Sequence, residues 1–187
     1  MQSVNTPKIK IRYGKLLDPF LKELMEIKFP EWESPTKEEV IEKVGLFRES
    51  WSKEGEPLLK EAIKVTGLSF ERNVIDVFVV SGINRCMSAP LIVKSGLTEK
   101  EFTYLLLEEL IHVLFSDNGS KIPSELEEHN RRVINHVMVF KIFREILSKE
   151  IIEELESKVK DPDYKKAWEL SKNWNPEEDG GWRRFSR

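Results

Sequence analysis

The stretch that most constrains the fold is residues 105–115, which read LLLEELIHVLF. It is the most continuous apolar run in the chain, and yet it contains Glu108, Glu109 and His112. Burying such groups without partners costs several kcal/mol each. Any fold of this chain must therefore give these three side chains either a bound ion or a set of hydrogen-bonding partners.

The run is predicted to belong to a helix over residues 98–116, which we call the motif helix. Thr98 and the acidic residues after it form a capping-box pattern at its start. Residues four apart share one helix face, so Glu108 and His112 stack over one another. Glu109, the next residue along the helix, points to a neighbouring direction, and its side chain can reach the edge of the space beside Glu108 and His112. The spacing predicts that Glu108 and His112 can bind one metal ion.

The segment E-E-L-I-H, residues 108–112, resembles the H-E-x-x-H motif of the zincin metallopeptidases, with a glutamate in place of the first histidine. The resemblance implies an α+β fold, mostly helical with a small β-sheet. It also implies a zinc ion held by two residues of this helix and by a third ligand from a following helix. In that scheme the motif glutamate, Glu109 here, activates a zinc-bound water for the hydrolysis of peptide bonds.

The third ligand is expected on a second site helix, which is predicted over residues 124–156. His136 is the favoured candidate because its surroundings in the sequence are apolar enough to be inside the protein. His129 lies in a strongly polar stretch. Glu125 and Glu128 are further alternatives, since the resemblance implies that a glutamate of this helix can serve as the ligand.

The predicted site thus comprises Glu108, His112 and His136 as zinc ligands and Glu109 as the catalytic base. A carboxylate is a competent zinc ligand, so two histidines and Glu108 have the composition of a catalytic site. In an alternative interpretation the protein has the same fold but is not a catalyst. Glu108 adds a negative charge beside Glu109, which would raise the pKa of a carboxyl group there and weaken metal binding. The protein would then be a pseudoenzyme whose degenerate cleft serves as a binding or scaffolding surface.

A third interpretation is that the motif match is accidental and that the chain is an unrelated helical interaction protein. In that case His112 and His136 would lie more than about 8 Å apart, beyond the reach of ligands bonded to zinc at about 2 Å. One of the two motif glutamates would then cap a neighbouring loop or pair with a cation. The candidates in the sequence are Arg85, Arg131 and Arg132.

The remaining segments are predicted to complete a single zincin-like domain over residues 1–187. Its other parts are N-terminal helices in 16–67, a small sheet in 73–95, and a C-terminal helix and tail in 161–187. One of these helices is predicted to end near Gly55, and the next to begin at Pro57. Residues 91–94 are either the edge strand that zincins use to bind extended substrate by strand addition, or an ordinary hairpin strand.

Composition narrows the classes of partner. The formal net charge of −3 gives no broad basic surface, so no nucleic acid is expected. No apolar stretch approaches the roughly 20 residues of a bilayer span, and the N-terminus has no signal-peptide core, so we expect a cytoplasmic protein without a membrane partner.

A single cysteine cannot form an intramolecular disulfide. The scarcity of glutamine beside abundant lysine, glutamate and isoleucine resembles proteins of hyperthermophiles. The expected partner is a peptide or protein substrate.

Overall fold

A computed structural model describes residues 6–119, 123–176 and 182 of the chain. Contacts within the chain define two compact units. The first unit contains Pro7–Pro57 and Arg72–Leu110, and the second contains Leu58–Glu71 and Ile111–Arg187 together with Met1–Thr6. The prediction of a single domain stays a prediction.

The first unit is built on a four-stranded mixed sheet. Its strands are β1 (Lys8–Tyr13), β2 (Val74–Val80), β3 (Met87–Ser88) and β4 (Leu91–Lys94). The strand order is β1-β2-β4-β3, with β1, β2 and β4 parallel and β3 antiparallel to β4. Of the two interpretations of residues 91–94, the edge strand is wrong and the hairpin strand is confirmed, because Met87 and Ser88 fold back and pair with Ile92 and Leu91.

Helix α1 (Asp18–Lys28) is anchored at the end of β2. Asp18 is buried in the first turn of the helix and accepts hydrogen bonds from the backbone N–H and the hydroxyl of Ser81, at 2.5 and 2.8 Å. A Cβ atom added at Gly82 would lie 2.2 Å from the backbone nitrogen of Lys22. The missing side chain at Gly82 therefore permits the close approach of α1 to the sheet.

The predicted separation of the second and third helices is wrong, since every residue from 37 to 66 is helical. Helix α2 (Lys37–Ser50) begins at the capping box of Thr36 and passes through a π-helical turn, Trp51–Gly55, into α3 (Glu56–Thr66). Pro57 has no N–H to donate to an ordinary helical hydrogen bond. The wider π turn just before it lets the backbone stay helical.

Helix α4 (Glu99–Asp117) confirms the predicted motif helix and passes through the division between the two units, at residues 110 and 111. The capping box is confirmed as well. The Glu101 carboxylate accepts hydrogen bonds from the backbone N–H and the hydroxyl of Thr98, and the Glu101 N–H donates to that hydroxyl. The motif residues therefore lie on one uninterrupted helix.

The predicted helix over residues 124–156 is wrong in its start and in its continuity. Ser124–Leu126 form only a short 3-10 turn, and α5 (Arg131–Ile146) begins where the Asn130 side chain accepts the backbone N–H of Val133 at 2.9 Å. Leu147 is extended, and α6 (Lys149–Lys158) follows Ser148. Asn130 and Ser148 interrupt the helix because both favour the extended N-cap conformation that starts a new one.

Helix α7 (Pro162–Asn173) confirms the predicted C-terminal helix. The tail beyond residue 176 lies outside the described residues, apart from Trp182. The predominance of helix over one small mixed sheet confirms the α+β class. None of the helices in the described part of the chain combines the length and apolar character that crossing a membrane requires.

Candidate metal centre

Helix α4 is buried on most sides, and its more accessible stripe carries the ionisable residues. Its fully buried positions are Phe102, Thr103, Leu106, Leu107, Leu110, Ile111 and Leu114. Leu105, Glu108, Glu109 and His112 are half-buried, and their spacing of three and four residues places them on one helix face. The apolar residues of the motif helix therefore fill the core, while its carboxylates and its imidazole share the stripe that solvent can reach.

The structure brings the three predicted ligands together. Glu108 and His112 are one turn apart on α4, and His136 lies on α5, in the same compact unit as His112. The two imidazole centroids are 5.0 Å apart, with an interplanar angle of 79°. One ligand atom from each of the three residues lies within 4.8 Å of the other two. This excludes the separation of more than about 8 Å that an accidental motif match predicts.

A hydrogen bond to the backbone orients the buried ring of His136. Its Nδ1 lies 2.6 Å from the carbonyl oxygen of Arg132, one turn earlier on α5. A carbonyl oxygen can only accept a hydrogen bond, so Nδ1 carries the proton and donates it. In the neutral ring Nε2 is then unprotonated, which is the form in which an imidazole binds a metal ion.

Residues at the start of α7 pack against the same ring. The centroid of Tyr164 lies 4.1 Å from that of His136, at an interplanar angle of 39°. The Arg132 guanidinium lies 5.1 Å from the centre of the Tyr164 ring and forms an ion pair with Asp161 at 2.8 Å. Asp161 also caps α7 by accepting the backbone N–H of Asp163. These contacts hold Tyr164 against His136 and restrict rotation of the imidazole.

The other candidates for the third ligand lie elsewhere. The His129 Nε2 atom is 3.6 Å from a carboxylate oxygen of Glu128, and Glu125 is exposed. Among the residues that the structure describes, none of these three joins the group of ligand atoms around His112. His136 is therefore the third-ligand candidate that the fold supports.

Glu109 lies beside Glu108 on the same half-buried stripe, about 100° further round the helix. It is not one of the three grouped ligand residues in the described part of the chain. A general base for a metal-bound water must lie within hydrogen-bond reach of that water, which a residue at the edge of the metal site satisfies. The position of Glu109 suits that role, which stays a prediction.

A cysteine thiol lies near the two carboxylates of α4. Cys86, in the segment before β3, is half-buried. Burial raises the pKa of its thiol, and the negative charges of Glu109 and Glu108 raise the pKa further, against a hydrogen bond from the backbone of Lys94. Among the residues that the structure describes, Cys86 is not part of the group of ligand atoms formed by Glu108, His112 and His136.

Sequence reasoning missed Tyr164, the contact of Arg132 with it, and the proximity of Cys86 to the carboxylates. Tyr164 lies 28 residues after His136 and Cys86 lies 22 residues before Glu108, and no local pattern links either pair. Arg132 was considered as a cationic partner for the motif glutamates, whereas the structure pairs it with Asp161. Contacts of this kind are set by packing of separate helices, which the sequence pattern does not specify.

Comparison with known proteins gives no matching family model, no matching curated protein and no matching solved structure.

Proposed function

We propose that the chain is a zinc-dependent, zincin-like metallopeptidase in which Glu108, His112 and His136 hold the ion and Glu109 is the general base. The observation that carries this proposal is the approach of the three ligand atoms to within 4.8 Å of one another. The order of elements along the chain supports it. A mixed sheet with an antiparallel edge strand precedes the motif helix, and His136 lies on the next α-helix.

The residues present fit zinc in their chemistry. Two imidazole nitrogens and one carboxylate oxygen form a ligand set known for catalytic zinc, and three protein ligands leave a position for water or substrate. The hydrogen bond of His136 to the Arg132 carbonyl leaves Nε2 unprotonated, as binding requires. Tetrahedral bonds of about 2 Å would place ligand atoms roughly 3.3 Å apart, so ligand atoms that now lie within 4.8 Å of one another would need to approach by up to about 1.5 Å.

Each residue of the centre has a defined task in the proposed reaction. Bound zinc would supply Lewis acidity and a water molecule of lowered pKa. A carboxylate oxygen of Glu109 accepts the proton of the attacking water and later returns it to the leaving amine. The Arg132 carbonyl fixes the tautomer of His136. Glu108 is half-buried, and this partial removal from water would strengthen the attraction between the ion and its carboxylate.

The proposal is tested by separating zinc binding from catalysis. Glu109→Gln should bind zinc as the wild type does, because Glu109 is not a ligand, and it should cleave a fluorogenic peptide library at least about 100-fold more slowly. Glu153→Gln, an exposed change on α6, is the control and should leave both properties unchanged. Equal cleavage by wild type and Glu109→Gln would refute the assignment of the base.

The noncatalytic alternative makes a different prediction for the same protein. A pseudoenzyme whose centre has degenerated would bind no zinc in the wild type, whereas Glu108→His would restore the H-E-x-x-H motif and with it zinc binding. Under our proposal the wild type already binds zinc and Glu108→His retains it. Zinc binding confined to the Glu108→His variant would therefore contradict the proposed enzyme and favour the scaffolding protein.

A further inference from the structure

Helix α1 and the turn before it carry large apolar side chains that the fold leaves in solvent. They form a stripe of four residues, which we call the α1 stripe: Leu16 (90% exposed), Phe20 (62%), Leu24 (47%) and Ile27 (71%). Phe20, Leu24 and Ile27 fall within a sector of about 60° on the helix, at 100° per residue, and Leu16 lies in the turn that leads into it. A contiguous apolar stripe of this kind is typical of a surface that binds another protein.

The opposite face of α1 fixes the helix on its own unit. Asp18 is buried and hydrogen-bonded to Ser81, and Leu21 and Met25 are half-buried. Because the helix is held by these residues, the α1 stripe cannot be buried by turning the helix about its axis. The stripe is therefore a fixed feature of the first unit.

We propose that two copies of the chain associate through the α1 stripe, with the two α1 helices parallel and related by a twofold axis. Charge on the margins of the stripe supports this arrangement. Glu23 lies along one margin and Lys28, five residues later, lies along the other. In a parallel pair Glu23 of each copy faces Lys28 of its partner, whereas an antiparallel pair places Glu23 opposite Glu23.

The area available agrees with a specific but modest dimer. A fully exposed residue of this size presents on the order of 150 Å², so the α1 stripe offers roughly 400 Å² of apolar surface in each copy. Two copies would together bury about 800 Å² of apolar surface. Because homodimer interfaces are about 65% apolar, the total surface buried by the pair would be about 1,200 Å². That value is at the lower end of specific interfaces, so we expect an equilibrium between monomer and dimer that depends on concentration.

The charges of α1 also favour a second copy over a membrane surface. Lys22 and Lys28 are balanced by Glu23 and Glu26. Helices that lie on anionic lipid are rich in basic residues on their polar face, and this helix has no such excess. A second copy of the chain presents the same apolar stripe with Glu23 on one margin and Lys28 on the other. It therefore complements both the apolar surface and the charges beside it.

Sedimentation equilibrium of the full chain over a wide range of concentration tests the proposal. The wild type should show a reversible dimer, and Leu24→Glu should weaken it at least about tenfold by placing two like charges in the apolar contact. The matched control is Ile41→Glu on α2, where the replaced side chain has nearly the same exposure, 46%. That variant should dimerise as the wild type does. Circular dichroism melts verify that each variant is folded.

Charge reversal tests the parallel orientation. Glu23→Lys should weaken the dimer about three- to tenfold, and the double variant Glu23→Lys with Lys28→Glu should restore it. A wild type that remains monomeric throughout would overturn the proposal, as would a dimer that Leu24→Glu leaves intact. Monomeric protein that binds anionic phosphatidylserine vesicles through Phe20 and Ile27 would overturn it too and assign the stripe to a membrane.

Discussion

Substitution of Tyr164 tests whether the start of α7 controls the affinity of the centre for zinc. The Tyr164 ring lies 4.1 Å from the imidazole of His136, between centroids, and Arg132 supports it through its ion pair with Asp161. Removal of the ring in Tyr164→Ala leaves two restraints from α5 in place. They are the hydrogen bond between His136 Nδ1 and the Arg132 carbonyl, at 2.6 Å, and the contact of the imidazole with the Phe140 ring, 5.7 Å between centroids.

The expected magnitude follows from the kind of contact that is lost. Groups that orient a metal ligand typically change metal affinity 10- to 100-fold, and a ring contact is worth about 0.5–1.5 kcal/mol. Because the backbone hydrogen bond of His136 is retained, we expect the lower end of that range. Tyr164→Ala should therefore raise the dissociation constant for zinc about tenfold, or about 1.4 kcal/mol.

Competition between the protein and a chromophoric zinc chelator measures this change. Tyr164→Phe keeps the ring and should bind zinc within about twofold of the wild type. Leu170→Ala removes another half-buried side chain of α7 and controls for a general loosening of that helix. If Tyr164→Ala binds zinc as tightly as the wild type, or if Leu170→Ala weakens binding equally, Tyr164 does not position His136.

Three further predictions concern stability. Gly45→Ala in α2 should raise the free energy of unfolding by about 0.5–1 kcal/mol, since a Cβ there meets nothing within 4 Å. Gly55→Ala should lower it by about 1–3 kcal/mol, because its Cβ would lie 2.1 Å from the buried Trp51 ring. Urea denaturation compares the two, and similar effects would refute the close packing in the π turn. The hydrogen bond from Lys172, helped by Arg144, lowers the pKa of Glu156. A depressed carboxyl pKa stabilises the fold at neutral pH and ceases to do so as the pH falls through the folded-state pKa. Glu156→Gln should therefore be less stable than the wild type at pH 7, with a difference that vanishes in acid; a difference independent of pH would contradict the ion pair.

The parts of the fold that the sequence predicted correctly have strong local signals. The motif helix combines a capping box at Thr98 with a long apolar run, and β2 is dense in β-branched residues. The boundaries of α5 were missed because the apolar spacing continues past Leu147 without a proline or glycine. Asn130 and Ser148 interrupt it through their extended backbone, which is a weaker signal in the sequence.

In the candidate centre too, the contacts between residues close in the sequence were predictable, and those between distant segments were not. The juxtaposition of Glu108 and His112 follows from helical geometry, and the apolar context of His136 was sufficient to choose it over His129. The contacts of Tyr164 with His136, and of Cys86 with the carboxylates, depend on how separate elements pack. Such contacts carry no local periodicity, so the groups that tune the centre could not be predicted from the pattern of residues alone.

Zinc binding by the purified wild type, measured beside His112→Ala, tests the central claim most directly. His129→Ala is the matched control, since it removes a histidine outside the group of ligand atoms. We predict one zinc per chain for the wild type and for His129→Ala, and its loss in His112→Ala. Equal, sub-stoichiometric zinc in the wild type and in His112→Ala would contradict the account.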